Sequence, residues 1–209
     1  MTPKQQVKSA SNILVSANCF LQKFIKFPEI GIFHSHAELL HAALLEANHE
    51  VISFVPQPFK LHVNGRRYIP DCYIAYKNKH EVIELKPRGE FDDDRKIPLQ
   101  EMFKNDYGYE FKVISNESVF EEEVKANNWL FIIRTLSNAD EISTENQEQD
   151  LLEKFFHKPK QQLGDVIQIN NRMNAYLDEL ALFRLIHNGK LNISNEKQLD
   201  LDTEVTSCI

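Results

Sequence analysis

The sequence predicts an α/β protein: a mixed β-sheet flanked by helices, then a small helical unit ending in a hairpin. Three observations carry this. A helical stripe runs through Ala37, Leu40, Leu44 and Ala47. Strand-like stretches between residues 51 and 86 are punctuated by turn residues. Beyond them the pattern continues as helix, strand and helix before a polar segment and further helices. The chain has 209 residues, 42% of them hydrophobic and 26% charged. That is room for one ordinary domain, or a medium domain plus a small one, each with a real core.

The elements follow in order. Residues 1–30 give a mixed signal and no element. The stripe then predicts a helix, with Ser35 as N-cap and Glu38 three residues on, the capping-box spacing. The stretch VISFVPQPFKLHV alternates like a strand broken by Pro56 and Pro58. Asn64-Gly65 marks a hairpin turn. RRYIPDCYIAY is the second strand, Tyr76 to Lys79 a second turn, and HEVIELKP the third strand, stopped by Pro87. Residues 51–86 therefore read as an antiparallel meander. GEFDDDRKIPLQEMFKNDYG is helical in its latter half, with Asp92, Asp93 and Asp94 favourable at the helix start. EFKVISN is a fourth strand, and SVFEEEVKANNWLFII adds a helix and an apolar segment. The catalytic-type domain is thus expected over 1–136. Residues 137–150 are polar and aperiodic, the composition of a linker. Residues 151–209 read as two or three short helices and a hairpin, the outline of a winged helix-turn-helix.

Composition excludes several classes. No apolar run reaches the roughly 20 residues of a membrane span, and no secretory leader is recognisable. The three cysteines, Cys19, Cys72 and Cys208, make neither a disulfide framework nor zinc spacing. A reduced, cytoplasmic protein is expected. Net charge is −7, unevenly spread. Through residue 113 there are 15 Lys and Arg against 14 Asp and Glu; from residue 114 there are 9 against 17. The acidity lies in the C-terminal part.

The chemistry points to Asp71, Glu84 and Lys86. On a strand, alternate side chains share a face, so Glu84 and Lys86 point the same way and the Leu85 backbone carbonyl lies between them. An antiparallel turn brings Asp71, at the start of the preceding strand, level with them. Two carboxylates and an ammonium at one sheet end suit Mg²⁺ or Mn²⁺, which keep waters and bind through one or two carboxylates plus phosphate. Acidified water and a nearby ammonium are the means of phosphodiester hydrolysis. Val82, Ile83 and Leu85 make this strand largely buried, where a charge is expensive unless paired. Glu38 has two readings: the carboxylate of a capping box, or a third acidic ligand.

The P-D and E-L-K residues resemble the pattern of the restriction-endonuclease-like, PD-(D/E)xK nuclease superfamily. The wider run resembles the catalytic domain of TnsA, the endonuclease subunit of heteromeric cut-and-paste transposons. The matching residues are Phe33–Glu38, Val55–Pro58, Tyr68–Asp71, Val82–Pro87 and Phe111–Ser115. Cys72 departs from the pattern, which has an aromatic residue there. The resemblance implies a restriction-endonuclease-like core and a winged-helix-like C-terminal domain. It implies Glu38, Asp71 and Lys86 as catalytic residues, with Glu84 at the variable position. Metal ligands would be Glu38, Asp71, Glu84 and the Leu85 carbonyl, holding one or two Mg²⁺ or Mn²⁺ ions. It further implies cleavage at the 5′ ends of a transposon, beside a DDE transposase of the TnsB type. An ATPase of the TnsC type would be contacted through the C-terminal domain.

Other residues of the region admit readings of their own. His34, His36 and His41 lack zinc spacing, although His34 or His36 would suit a DNA phosphate. Lys60, Arg66, Arg67, Lys77, Lys79 and Arg88 are candidate DNA contacts, with Arg95 and Lys96 nearby; as solvated turns they would do nothing special. Lys158, Lys160, Arg172 and Arg184 are the DNA-facing candidates of the C-terminal part. A non-catalytic assembly module that keeps the nuclease fold is the main alternative. A stand-alone restriction or repair nuclease would share the chemistry without partners.

Overall fold

The structure, a computed structural model, describes residues 2–7, 19–63, 65–139, 141–167 and 172–208, without the side chains of Arg66, Arg172 and Met173. Two compact units emerge, residues 1–123 and 124–209.

The first unit opens with strands β1 (Phe20–Lys23) and β2 (Ile30–Phe33), an antiparallel pair. Helix α1 (His36–Ala47) follows, capped by Ser35 as the sequence predicts. Its buried face is broader than the expected stripe. Ala37, Leu39, Leu40, Ala42, Ala43 and Leu45 are all buried, and His41 and Glu46 with them. No basic residue stands in the last turn of α1. Lys26 substitutes from the β1–β2 turn, its ammonium donating to the carbonyls of Leu45, Glu46 and Asn48 at 3.2, 2.8 and 2.7 Å. A cation there satisfies orphan carbonyls and opposes the negative end of the helix dipole. Phe24, Phe27, Phe33 and Phe54 pack ring against ring at the base of the core. Each fully buried ring of this kind contributes roughly 2–3 kcal/mol.

Strands β3 (Val51–Pro56), β4 (Leu61–Val63), β5 (Arg66–Tyr68), β6 (Cys72–Tyr76) and β7 (His80–Lys86) come next. The expected three-strand meander is corrected here. β4 and β5 form a hairpin of their own, and β3 pairs with β6 across it. The prolines explain the difference. Pro56, Pro58 and Pro70 supply no N–H and interrupt what the alternation alone would read as two continuous strands. Gly65 takes the left-handed conformation in the β4–β5 turn, while its predicted companion Asn64 lies outside the described residues.

Helix α2 (Asp93–Met102) is capped by Asp92 and runs into a π-helical turn, Phe103–Tyr107, closed by Gly108 with φ of 70°. Strand β8 (Glu110–Ser115) then lies parallel to β7, and the short helix α3 (Asn116–Glu121) starts on Ser115. The central sheet has the order β3-β6-β7-β8. It is mixed, as expected, and flanked by helices.

The second unit begins with helix α4 (Glu123–Ser137), which belongs to it from Val124 onward. The sequence pattern predicts this helix in a first domain ending at 136, with a linker over 137–150. Trp129, Leu130, Ile132 and Ile133 of α4 are instead part of the second core, so the division falls at 123/124. The supposed linker is also packed. Ala139 and Thr144 are 2% and 1% exposed. Arg184 donates to the Thr144 hydroxyl and, at 3.1 Å, to the Ala139 carbonyl. Helix α5 (Glu145–His157), strand β9 (Lys160–Gln162), helices α6 (Leu163–Val166) and α7 (Arg172–His187), and strands β10 (Leu191–Ile193) and β11 (Glu204–Ser207) complete the unit. The strands form an antiparallel sheet in the order β10-β11-β9. The long β10–β11 connection is held by buried Asn128 of α4, which donates to the Lys197 carbonyl at 3.0 Å and accepts from Leu199 N–H at 2.9 Å. Among the described residues no helix is long and apolar enough to cross a membrane.

Candidate active site

Strand directions decide which residues meet. β3 and β7 each run antiparallel to β6, and β8 runs parallel to β7. The carboxyl ends of β3, β7 and β8 therefore share one end of the sheet with the beginning of β6. Pro56, Asp71, Lys86 and Ser115 lie at that end. Helix α1 brings Glu38 to it from the side, in its first turn.

Asp71 sits where β6 joins the ladder. Its N–H donates to the Ile83 carbonyl at 3.1 Å, and its carbonyl accepts from Gln57 N–H at 2.8 Å. Its carboxylate accepts from Leu85 N–H at 2.7 Å. In a paired strand the N–H and carbonyl of one residue point to the same side. The Leu85 carbonyl therefore faces the Asp71 side, beyond the last rung of β6.

Glu84 is 3% exposed and fully engaged. One oxygen accepts from the Tyr68 hydroxyl at 2.6 Å; the other lies 3.1 Å from the Lys86 ammonium. Burial and then the Glu84 carboxylate push the Tyr68 phenol far up, so it remains a donor. Burial opposes the charge on Lys86, but Glu84 and Asp71 outweigh it and raise its pKa. Lys86 stays an ammonium.

Glu38 completes a modified capping box. Ser35 Oγ accepts from Glu38 N–H at 3.2 Å and donates to the Glu38 carboxylate at 3.1 Å. The other carboxylate oxygen accepts from His34 N–H at 3.2 Å rather than from the cap residue itself. Burial raises the Glu38 pKa against these donors. Glu38 thus caps α1, and its charge is also felt at Asp71. Burial first, then Glu84, then Glu38 push Asp71 up to about 8, against the pull of Leu85 N–H and Lys86. A carboxyl group raised by two neighbouring carboxylates marks a site short of positive charge.

The donor set is hard oxygen, which fits a divalent cation of the Mg²⁺ type. Among the described residues no three His, Cys, Asp or Glu side chains stand at mutual ligand distance. Glu38, Asp71 and Glu84 all already accept hydrogen bonds, so the fit rests on donor chemistry, with the Leu85 carbonyl as neutral donor. Cys72, beside Asp71, is buried in the core.

The candidate DNA contacts divide. Lys60, Arg67 and Arg88 are exposed, and all three lie on segments at the site end of the sheet. The Arg88 guanidinium approaches Glu121 at 4.0 Å, and its N–H donates to Glu117. The side chain of Arg66 lies outside the described residues. Lys77 and Lys79 are not brought to the carboxylates. They occupy the β6–β7 turn, at the opposite end of the sheet, where Lys79 binds Glu81 at 2.7 Å and lies over the Tyr76 ring. Nearness in sequence to Asp71 does not help them, because β6 carries the chain away. Arg95, by contrast, stacks over Tyr68 at 5.2 Å and Phe91 at 5.5 Å. In the second unit Arg184 is a structural donor, and the side chain of Arg172 lies outside the described residues.

Tyr68 and Gln57 are the site neighbours to which the sequence alone assigns no role. Tyr68 and Gln57 lie in quoted motifs, but only strand register reveals that one reaches Glu84 and the other Asp71.

Residues 48–116 match a family model described as TnsA-like endonuclease N terminal. That span contains Gln57, Tyr68, Asp71, Glu84, Leu85 and Lys86, while Glu38 precedes it. No curated protein matches the chain.

Proposed function

Because the chain carries a TnsA-like endonuclease domain, we propose that it is a divalent-metal-dependent DNA endonuclease that cuts phosphodiesters at the 5′ ends of a transposon. The observation that carries this reading is the convergence of Asp71, Glu84 and Lys86 at one sheet end, inside the matched span, with Glu38 close enough to raise Asp71.

Asp71 and Glu38, with the Leu85 carbonyl, would hold the cation. When bound, it would acidify a water and offset phosphate charge. The remaining work belongs to the chain's own groups. Tyr68 fixes Glu84 by its hydroxyl, and Glu84 fixes the Lys86 ammonium. Lys86 then donates hydrogen bonds to a non-bridging phosphate oxygen as negative charge develops there. Lys60, Arg67, Arg88 and Arg95 would hold neighbouring phosphates with little sequence preference.

The second unit supports a winged-helix reading. Its element order places β9 and α6 before α7 and a terminal strand pair, with one antiparallel sheet. Residues 124–209 hold 13 Asp and Glu against 9 Lys and Arg. Such a surface favours protein contact over groove reading. In this reading the second unit meets a TnsC-type ATPase, and a TnsB-type DDE transposase makes the 3′ cuts.

The test maps strand breaks on end-labelled transposon-end DNA with Mg²⁺, the neighbouring transposase and ATPase. Wild-type chain is compared with Lys86→Ala. Breaks at the 5′ ends that need Lys86 support the assignment. Uncut 5′ ends with normal 3′ joining would leave a non-catalytic assembly module.

A further inference from the structure

Among the described residues Gln57 alone, outside glycine, has a positive φ, at 44°. A glutamine in that region costs of order 1 kcal/mol or more. The cost is aggravated because Pro58 follows, and a residue before proline is itself restricted. Such strain persists only where the surroundings over-determine it. The side chain is 5% exposed, so solvent does not relieve it.

The surroundings are specific. The N–H of Gln57 donates to the Asp71 carbonyl at 2.8 Å, and its carbonyl accepts from Val7 N–H at 3.0 Å. Its side-chain Nε2 lies 2.7 Å from His34 Nδ1. Burial raises the Glu38 pKa, and Gln57 helps to hold it down. Gln6 braces the arrangement from outside. Its amide reaches Gln57 Oε1 at 3.4 Å and exchanges hydrogen bonds with the Ile32 backbone at 2.6 and 3.0 Å. The left-handed turn lets one residue hold β6 with its backbone and the start of α1 with its amide.

We propose that Gln57 is a positioning residue, a clamp that ties the Asp71 end of β6 to the Glu38 end of α1 and sets the spacing of the two carboxylates. The proposal rests on the endonuclease reading for its consequence in catalysis, and on hydrogen bonds alone for the clamp itself. Its effect would be on turnover rather than on DNA binding, because Gln57 is buried. Misplacing a reacting group by about 1 Å costs on the order of 100-fold in rate.

The experiment uses the full chain and two variants. Gln57→Gly favours the observed φ and keeps the N–H on Asp71, but removes the amide. Gln57→Met keeps the volume and removes the amide. Three quantities are read: thermal midpoint, kcat and KM on transposon-end DNA with Mn²⁺ and partners, and hydrogen exchange of the Leu85 amide, which rests on the Asp71 carboxylate. Both variants are expected to lose at least tenfold in kcat with KM for DNA unchanged. Leu85 should exchange at least tenfold faster, and Gln57→Gly should keep a thermal midpoint no lower than that of the wild type. Wild-type kcat and unchanged Leu85 exchange in Gln57→Gly would overturn the proposal. So would kcat losses that merely follow thermal midpoint across the two variants. A wild-type chain that never cuts DNA would sink the endonuclease reading instead, and Leu85 exchange would still decide the clamp.

Discussion

Replacing Asp71 by Asn should stabilise the first unit and abolish its chemistry. Burial and the carboxylates of Glu84 and Glu38 raise Asp71 from 3.8 to about 8 in the folded chain. The folded state therefore keeps a proton that the unfolded state releases. Stability is fullest below pH 4 and is lost as pH rises from about 4 through 8. At about 1.36 kcal/mol per tenfold change, the upper bound of that loss is roughly 6 kcal/mol. Asp71 is partly open to solvent, which screens the repulsion, so about 2–3 kcal/mol is the expected size. Asp71→Asn removes the titration, and its amide oxygen still accepts from Leu85 N–H. The variant should exceed the wild type by about 2–3 kcal/mol at pH 8.5, with the gap closing toward pH 4. Urea unfolding followed by near-UV tyrosine dichroism is a suitable assay. Tyr68, Tyr73, Tyr76, Tyr107 and Tyr109 all lie in the first unit, while Trp129 independently reports the second. Added Mn²⁺ should stabilise the wild type at pH 8.5 and not the variant. Parallel pH curves for the two chains would refute the convergence of the carboxylates.

Two further outcomes are expected. Buried His41 is depressed from 6.5 to about 4, chiefly by burial and only weakly opposed by Glu81. In the Asp71→Asn background stability should be full above pH 6.5 and fall by about 3 kcal/mol as pH drops toward 4, because the folded state refuses a proton that the unfolded state takes. Urea midpoints at pH 7 and 4.5 read this, and His41→Leu should flatten the fall. In the second unit, Asn128→Ala should cost about 2 kcal/mol by freeing the Lys197 carbonyl and Leu199 N–H. Limited proteolysis should then cut within residues 195–201 before any other described loop of that unit.

Local rules made part of this fold legible from sequence. Ser35 and Glu38 announce the start of α1 because capping depends on residues three apart. The E-x-K spacing likewise places Glu84 and Lys86 on one face, since strand alternation is local. What failed was non-local. The pairing of β3 with β6 skips a hairpin, and no alternation pattern records which strand a strand chooses. Lys77 and Lys79 follow Asp71 closely in sequence, yet the length of β6 separates them from it. The polar stretch 137–150 has linker composition, but Ala139 and Thr144 are buried by an arginine forty-odd residues later. Tyr68 and Gln57 show the same limit inside the site. Their types were visible, while their partners depend on register and on one unusual φ.

The parallel pairing of β7 with β8 has a consequence for the order of synthesis. Glu38 and Asp71 leave the ribosome well before Glu84, Leu85 and Lys86. β7 is an inner strand, and its outer neighbour β8 ends only at Ser115. A nascent chain shorter than this holds its acidic residues on an unclosed sheet, with one whole edge of β7 unpaired. The sheet end that gathers Asp71, Glu84 and Lys86 therefore closes only after more than half of the polypeptide exists. Under the proposed endonuclease reading, the chain is inert through the first half of its synthesis.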